Sequence, residues 1–460
     1  MASQRSEQGR CWSPRMIWTI CLAILAVAIA VPSAVWAFGF RQAVGGIFID
    51  ARGAVTNAQQ DQIGRLRELR LKELKQAPAD LNRPAELRKV SLRLLDEAIG
   101  ECLRNDKPLP DEITYLAGLQ RIEYVFVYPE QNDIILAGYG EGWRVDERGN
   151  VVGVTTGRPV LLLDDLLVAL RTAEQTAQGG ISCSIDPTKE GLARLQEAQQ
   201  RFGGLGTTPE AVAQSLERLL GPQIVTIQGV PAFSHFARVL LAADFRMKRL
   251  GMNFDRAPVK GLPSYLHMLK SQNKTGSQNM LPRWWLTTDY EPLLTDGEGL
   301  AWQLRGPGVK AMSEDDFVDA QGGRTQSGKA SPLAQKWADN MTAKYDELSI
   351  KEPIFGELRN CMDLAVVSAL IVKERLATKA GLSMGALLDA DVLPADEYLA
   401  PKQIDTRASF IETGSNYIIS ASGGVAIHAW GAADAKETSD ELAPVRSQVA
   451  EGRAKTWWWN

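Results

Sequence analysis

Histidine is scarce in this chain. The three histidines are His235, His267 and His428, and none lies at metal-ligand spacing from another histidine or from a cysteine. Structural zinc sites draw their ligands from closely spaced pairs of such residues. We therefore expect no metal site built from local motifs and no bound cofactor, and each histidine is expected to be partly buried or on the surface.

Cysteine is too sparse and too widely spaced for a disulfide scaffold. Of the five cysteines, Cys11 and Cys21 lie near the N-terminus, and Cys102, Cys183 and Cys361 are far apart. No Cys-x-x-Cys pair occurs, and the last three are odd in number. We expect three buried thiols, with one long-range disulfide bridge as the open alternative.

An excess of basic residues is also lacking. The chain has 51 lysines and arginines against 55 acidic residues, a formal net charge of −4. Binding to nucleic acid leaves a basic footprint that this balance does not provide. Nucleic acid is therefore not an expected partner, and the apolar fraction of 45% is ordinary for a globular chain with a sizeable core.

No apolar run reaches the length of a membrane-spanning helix. The longest runs from Met16 to Val31, short of the roughly 18 residues that a span needs. Three arginines precede it, and the small-residue exit Val35-Trp36-Ala37 follows. This is the pattern of a secretory signal peptide, so we expect residues 1–37 to be cleaved after Ala37. An uncleaved anchor is the alternative, and it would be the chain's contact with a membrane.

The signal predicts a compartment. Because no twin-arginine pair precedes the apolar run, we expect the general secretory route. The predicted location is therefore periplasmic or extracellular, in a bacterial envelope.

The most conspicuous motif is an imperfect phosphate loop, Gly323 to Ala330. It matches G-x-x-x-x-G-K, but Ala330 stands where a serine or threonine would hold magnesium. The following helix would start late, at Ser331-Pro332, so its N-terminus could not cradle phosphate. We expect a surface loop and no nucleotide. No Gly-x-Ser-x-Gly elbow is present either, and Cys361 lies in an apolar helix that disfavours a thiolate.

The spacing of apolar residues predicts an α+β, or mixed α/β, fold with antiparallel-rich sheets covered by helices. Strands at Ile122–Tyr128 and Ile134–Ala137 flank a turn, and a second hairpin joins Trp143–Val145 to Val151–Val154. We expect these four strands to form one meander, covered on both faces because both faces are apolar.

Two helices carry polar residues of interest. Ser234 is expected to cap a helix whose first turn holds His235, where a positive charge is mildly unfavourable. A neutral imidazole there is a functional candidate that spacing alone does not establish. A longer helix is predicted from Glu357 to Ala380. In it Arg359 and Asp363 lie one turn apart, and we expect them to form a structural pair.

A glycine-rich segment at residues 203–206 predicts a domain boundary. We expect two α+β units after the signal, over residues 38–203 and 204–431. A charged, alanine-rich tail is expected over residues 432–460, and it ends in three tryptophans before Asn460.

The best binding candidates in the sequence are four aromatic residues and a neighbouring arginine. They are expected on one surface and comprise Arg283, Trp284, Trp285, Tyr290 and Trp302. Adjacent tryptophans in a strand point to opposite faces, so one can be core while the other faces a partner or a flat ligand such as a sugar. Core packing of both tryptophans is the expected arrangement, and the exposed ring is the functional alternative.

Five segments, in order along the chain, resemble one family of exported planctomycete proteins of unknown function, domain of unknown function 1598. They are YLAGLQRIEYVFVYPEQNDIILAGYGEGW (115–143), GRPVLLLDDLLVALR (157–171), CSIDPTKEGL (183–192), FARVLLAADFRMKRLGM (236–252) and ELRNCMDLAVVSALI (357–371). The resemblance implies a compartment and a lineage. It implies no catalytic residue, ligand or reaction, and it does not extend to the tail.

Two functions follow from these observations. The first is an exported, non-catalytic protein that binds an envelope protein or glycan or helps to build an envelope structure. The alternative is an exported hydrolase whose site assembles from distant residues, since catalytic triads are defined by geometry and not by order. A deep pocket that places His235 or His428 against an acid and a hydroxyl would favour the hydrolase. A shallow aromatic surface over Trp284 to Trp302 would favour the binding protein.

Overall fold

The computed structural model describes most of the chain beyond the N-terminal segment. It covers residues 44–202, 208–271, 282–318, 324–326, 328–413, 415–419, 421–451 and 459. The predicted signal with Cys11 and Cys21, the glycine-rich boundary, and Gly323 and Ser327 of the phosphate-like loop lie outside the described residues.

The helices of the described residues are numbered in chain order. They are α1 (Gln60–Glu73), α2 (Leu92–Arg104), α3 (Asp111–Thr114), α4 (Leu163–Thr172), α5 (Lys189–Phe202), α6 (Pro209–Leu220), α7 (His235–Gly251), α8 (Tyr265–Ser271), α9 (Pro332–Ala343), α10 (Tyr345–Lys351), α11 (Pro353–Lys373), α12 (Leu376–Ala380), α13 (Gly385–Leu388), α14 (Ala429–Asp434) and α15 (Leu442–Glu451).

The strands are numbered in the same way. They are β1 (Ile47–Ile49), β2 (Ala54–Asn57), β3 (Ala85–Ser91), β4 (Tyr124–Tyr128), β5 (Asp133–Gly140), β6 (Trp143–Val145), β7 (Val151–Gly153), β8 (Ile181–Pro187), β9 (Gln223–Gln228), β10 (Pro282–Asp289), β11 (Leu293–Thr295), β12 (Ala301–Gln303), β13 (Gly308–Val318), β14 (Arg324–Gln326), β15 (Gln403–Ile404), β16 (Ser409–Thr413), β17 (Ser415–Ile419), β18 (Ser422–Ile427) and β19 (Lys436–Thr438).

Two large sheets organise the fold. A nine-stranded sheet has the order β1-β2-β15-β9-β8-β18-β10-β13-β14, and a six-stranded sheet has the order β19-β11-β12-β4-β5-β3. Most neighbours are antiparallel, whereas β2–β15, β10–β18 and β11–β19 are parallel. The predicted α+β class with antiparallel-rich sheets is therefore confirmed.

Both large sheets contain strands from either side of the predicted boundary at residues 203–206. In the first, β8 pairs with β9 and with β18. In the second, β4 pairs with β12. The segment expected to separate two units thus connects elements that share one sheet, and long-range strand pairing of this kind is invisible to local composition.

The predicted four-stranded meander is wrong in its second half. β4 and β5 form the expected hairpin, but β6 and β7 pair only with each other in a separate two-stranded sheet, among the strands described. The buried Glu141 carboxylate accepts hydrogen bonds from the backbone N–H groups of Thr155 and Thr156, at 3.0 and 2.9 Å. This side chain, and not a strand ladder, holds the second hairpin against the end of β5.

Helix α11 is the central helix of the core. Leucine, valine, isoleucine and alanine occupy all of its sides, and a helix that is apolar all round is buried. It packs against α4 and α7. The predicted helix to Ala380 is interrupted, because Arg375 has a left-handed backbone (φ 52°) and separates α11 from α12.

Helix α7 begins where its capping residue predicts. The Ser234 hydroxyl accepts the Ala237 N–H at 3.1 Å, which satisfies one of the free donors of the first turn. Because α4, α7 and α11 pack together, the N-terminal turns of α4 and α7 lie near the second turn of α11.

Within the residues that the structure describes, no helix is both long enough and apolar enough to span a membrane.

Candidate active site

A cleft of roughly 470 Å³ opens above these helix ends. Its walls include apolar side chains from α1 and from the loop before α3, such as Leu66 and Leu109. Seven acidic or basic side chains also line it, and they are Arg70, Glu73, Asp111, Asp164, His235, Glu357 and Asp396. The cleft therefore combines an apolar body with many charges, as binding and catalytic sites do.

His235 and Asp165 form a buried pair at the floor of the cleft. The His235 Nδ1 atom lies 3.1 Å from each carboxylate oxygen of Asp165. His235 is 3% exposed and Asp165 is 4% exposed. His235 lines the cleft whereas Asp165 lies behind it. Because Asp165 occupies Nδ1, the ring nitrogen left for a ligand is Nε2, which has no hydrogen bond to any described residue.

The environment of His235 favours its charged form. Burial lowers its pKa, but the charge of Asp165 and the hydrogen bond to it outweigh burial, and the pKa is raised above its ordinary value. The sequence predicted an unfavourable positive charge at this helix start. Asp165, 70 residues away in the sequence, compensates that charge.

Two further carboxylates face the same space. Burial raises the pKa of Glu357, although the nearby charges of His235 and Arg70 act against it. Its Oε2 atom is buried and has no hydrogen-bond partner among the described residues. Burial, followed by the charges of Asp396 and Asp165, raises the pKa of Asp164 to about 6. In both groups the raised pKa favours the neutral, protonated carboxyl form, and shifted pKa values of this kind are common in functional sites.

Cys361, on α11, lies near the His235–Asp165 pair. It is fully buried, and the charge of Asp165 acts on its thiol. Burial raises the pKa of the Cys361 thiol well above its ordinary value, so this cysteine is not a thiolate nucleophile.

Tyr398 closes one side of the site. Its ring centre lies 5.8 Å from that of His235, and the Arg238 guanidinium carbon lies 5.3 Å above its ring. Burial raises the pKa of the Tyr398 hydroxyl, so it stays protonated. The histidine therefore has an acid at Nδ1 and an aromatic ring beside it.

The predicted aromatic residues do not form one surface. Trp284 is fully buried, with its ring centre 4.5 Å from Trp337 and 5.2 Å from Tyr265. Trp285, on the other face of β10, is partly exposed and lies under the Arg283 guanidinium at 5.5 Å. This is the division of faces expected for adjacent residues in a strand.

Tyr290 and Trp302 lie elsewhere. The Tyr290 hydroxyl donates a hydrogen bond to Asp363 at 2.7 Å. Trp302 is 1% exposed in the six-stranded sheet, and its Nε1 donates to the Gly299 carbonyl at 3.1 Å. Trp284 and Trp302 therefore offer no ring to a ligand from solvent, because both fill the core. Arg283 and Trp285 are the members of the set that remain together at an accessible face.

Arg359 and Asp363 are structural, but not as a pair with each other. Arg359 binds Asp346 at 2.9 Å, and Asp363 accepts two hydrogen bonds from Arg121 at 3.0 and 3.1 Å. Each residue binds across to another element, so the expected pairing within the helix was wrong.

The other described histidines and cysteines lie apart from one another. His267 and His428 are exposed. Among the described residues, no group of three histidine, cysteine or acidic side chains is placed to hold a metal ion. The described cysteines are free thiols, with Cys183 and Cys361 buried as expected and Cys102 partly exposed.

Sequence reasoning did not assign Asp165, Asp164, Glu357 or Tyr398 to a site. The only available signal was His235 at a capped helix start, together with acidic residues at the start of α4. Nothing local connects these two helix ends.

Comparison with known proteins finds a similarity over one segment of the chain, to a family whose function is unknown. A model for a protein family of unknown function (DUF1598) matches residues 183–265, so this segment is similar to that family, as the resemblance implied. The matched segment contains His235 but neither Asp165 nor Glu357. No curated protein matches the chain. No solved structure matches it either.

Proposed function

We propose that this chain is a hydrolase that acts in the cleft, with His235 as the general base and Asp165 as its positioning residue. The observation that carries the proposal is the buried His235–Asp165 pair, held at 3.1 Å, with the second ring nitrogen left for the cleft. A carboxylate on Nδ1 fixes the tautomer in which Nε2 is the basic nitrogen.

The mechanism follows from that tautomer. Nε2 takes a proton from a water molecule in the cleft while the water oxygen forms a bond to the electrophilic atom of the substrate. The bond to the leaving group then breaks, and the proton passes from Nε2 to the leaving group. Asp165 stabilises the imidazolium that exists between these two proton transfers.

Water is the nucleophile in this proposal because the site offers no activated side chain. The thiol of Cys361 is buried and protonated. The Thr114 hydroxyl donates to the Pro110 carbonyl, and the raised pKa of Tyr398 keeps its hydroxyl protonated. A histidine that activates water directly needs none of these groups as a nucleophile.

The geometry favours the hydrolase over the non-catalytic binding or envelope-structural protein. His235 lies against an acid in a cleft, and the ring centre of Tyr398 is 5.8 Å from its own; the acid and the cleft are two of the three features by which we distinguish the two functions. The binding protein requires an exposed aromatic surface, but Trp284 and Trp302 are buried in the core. Export remains part of the proposal, and it is supported by the pattern of residues 1–37.

An activity assay tests the proposal. It compares the wild type with His235→Gln on chromogenic ester, amide, phosphoester and glycoside substrates. We expect one substrate class to be turned over, and the substitution to reduce kcat/KM by roughly 100-fold or more. Asp165→Asn should cost about 10- to 100-fold, as expected of a residue that orients another.

His267→Gln is the matched control, because His267 is exposed on α8. It should leave turnover unchanged. Equal activity of folded His235→Gln and wild type, or no turnover of any substrate class, would refute the proposal.

A further inference from the structure

A second cavity, smaller than the cleft, lies beside the loop between β6 and β7. Its volume is roughly 190 Å³, and it shares no lining residue with the cleft. Ile63 of α1, Phe245 of α7 and Ile354 of α11 form an apolar part of its wall. The cavity is therefore a separate place on the same three helices, and its chemistry can be considered apart from the proposed hydrolase.

Three arginines line this cavity. Arg148 lies in the loop after β6, and Arg246 and Arg249 lie near the C-terminal end of α7. Residues three apart in a helix share a face, so Arg246 and Arg249 point to the same side of α7. Among the described residues of the wall, Glu352 is the one carboxylate. The wall thus presents three cations against one acid.

The carboxylates near these arginines are already shared between them. Glu352 accepts hydrogen bonds from Arg148 at 2.7 Å and from Arg246 at 2.8 Å. Asp255, outside the wall, accepts two from Arg249 at 2.7 and 3.0 Å and also pairs with Arg246. The hydrogen bond from Arg249 holds the pKa of the Asp255 carboxyl below its ordinary value, so Asp255 is charged. This chain of three cations and two anions retains one positive charge.

The arginines also retain unused donors. Arg148 uses only Nη1 of its side chain, and Arg249 uses only Nε and Nη2, for hydrogen bonds to described residues. The Nε atom of Arg246 is buried and has no partner among those residues. Arg249 is held in place by Phe245 and Phe254, with its guanidinium carbon 5.6 and 5.7 Å from the two ring centres. The wall therefore offers fixed, charged donors to a ligand with several acceptor oxygens.

We propose that this cavity binds the phosphate group of a small organic phosphate monoester, recognised by Arg148, Arg246 and Arg249. The donor fork of a guanidinium matches phosphate oxygens, and the group carries a charge close to −2 at pH 7. A carboxylate fits less well, because its two oxygens and single charge match fewer of the three arginines. The organic part of the ester would contact Ile63 and Ile354.

Calorimetry on the full chain at pH 7.5, in a buffer free of phosphate, tests the proposal. The probes are phenyl phosphate, inorganic phosphate, benzoate and the neutral phenol. Phenyl phosphate should bind roughly tenfold or more tighter than benzoate, and phenol should not bind. Inorganic phosphate should bind more weakly than the ester because it lacks the apolar part. Phenyl phosphate that binds no tighter than benzoate or than inorganic phosphate would overturn the proposal.

Substitution of Arg148 places the binding in this cavity. Arg148→Gln should weaken phenyl phosphate binding by about tenfold, and folding is not at risk because this side chain is 52% exposed. Arg144→Gln is the matched control, since Arg144 is an exposed arginine of the same hairpin that does not line the cavity. It should leave the affinity unchanged. Equal affinities of the two variants would overturn the assignment.

Substitution of Glu352 separates a ligand site from a purely structural ion-pair network. Glutamine keeps the size of the side chain and one acceptor oxygen, but it removes the charge that competes with phosphate for Arg148 and Arg246. Folded Glu352→Gln should therefore bind phenyl phosphate roughly tenfold tighter than the wild type. Unchanged or weaker binding by this variant would contradict the proposal, because a network that only supports the fold gives no gain in affinity.

This site and the proposed hydrolase fail separately. His235→Gln should lose turnover but keep its affinity for phenyl phosphate, because His235 does not line the second cavity. Loss of phenyl phosphate binding in folded His235→Gln would place that binding in the cleft and overturn the second site. Arg148→Gln should retain the turnover of the wild type while its phosphate affinity falls.

Discussion

Asparagine in place of Asp165 should reverse the contribution of His235 to the pH dependence of stability. In the wild type, Asp165 raises the pKa of the buried imidazole above 6.5. A raised pKa in the folded state gives stability that is fully present below the unfolded value. That stability is lost as the pH rises through the folded value. In the variant, burial at 3% exposure remains while the carboxylate charge is gone, so the pKa should fall below 6.5.

The size of the effect follows from proton linkage. One proton corresponds to a slope of at most about 1.4 kcal/mol per pH unit in the free energy of unfolding. Between pH 6.5 and 8 the wild type should lose stability, whereas the variant should lose none through His235. Asp164, with a pKa of about 6, also titrates at the lower end of this window, so the part that His235 contributes is identified separately by its own titration.

Urea unfolding at half-unit pH steps measures the slope, and NMR titration of the imidazole resonances identifies its source. The chain has three histidines, and the exposed His267 and His428 serve as internal controls. Their resonances should be the same in both proteins. Wild-type titration of His235 below pH 6.5, or equal slopes in the two proteins, would refute the reasoning.

Two further predictions concern stability away from the cleft. Trp284→Ala should cost roughly 3–5 kcal/mol because the ring is fully buried, whereas Trp285→Ala, under a partly exposed guanidinium, should cost about 1 kcal/mol or less. Urea unfolding distinguishes them, and equal losses would contradict the assigned faces of β10. Asp363→Ala should cost about 3–5 kcal/mol because it leaves Arg121 without its carboxylate, and Tyr290→Phe about 1.5–3 kcal/mol. In the same assay, an Asp363→Ala cost no greater than that of Tyr290→Phe would count against a buried ion pair.

Local chemistry made several elements predictable from the sequence. The helix after Ser234 was found because its cap satisfies a backbone donor three residues away. The β4–β5 hairpin was found because a polar turn separates two β-rich runs. In both, the decisive groups lie within a few residues of one another, which is the range over which sequence patterns are informative.

Partners across the fold were not predictable in this way. Arg359 has its partner at Asp346 on the preceding helix, and Asp363 has its partner at Arg121, 242 residues away in the sequence. Periodicity identifies which face of a helix is buried, but it does not identify the element that covers that face. The same limit hid the site, since His235 could be seen at a helix start while its carboxylate lay on another helix.

The family match emphasises this dependence on distant residues. The matched segment, residues 183–265, carries His235 without Asp165 or Glu357. Burial alone would lower the pKa of such a histidine and leave it a weak base, because the charged form loses its hydration. The segment therefore acquires acid–base capacity only when α4 supplies a carboxylate to Nδ1. A chain that shares this segment and its histidine would need a carboxylate in the same place to perform the same chemistry, so the pair, and not the histidine, is the unit on which the proposed function depends.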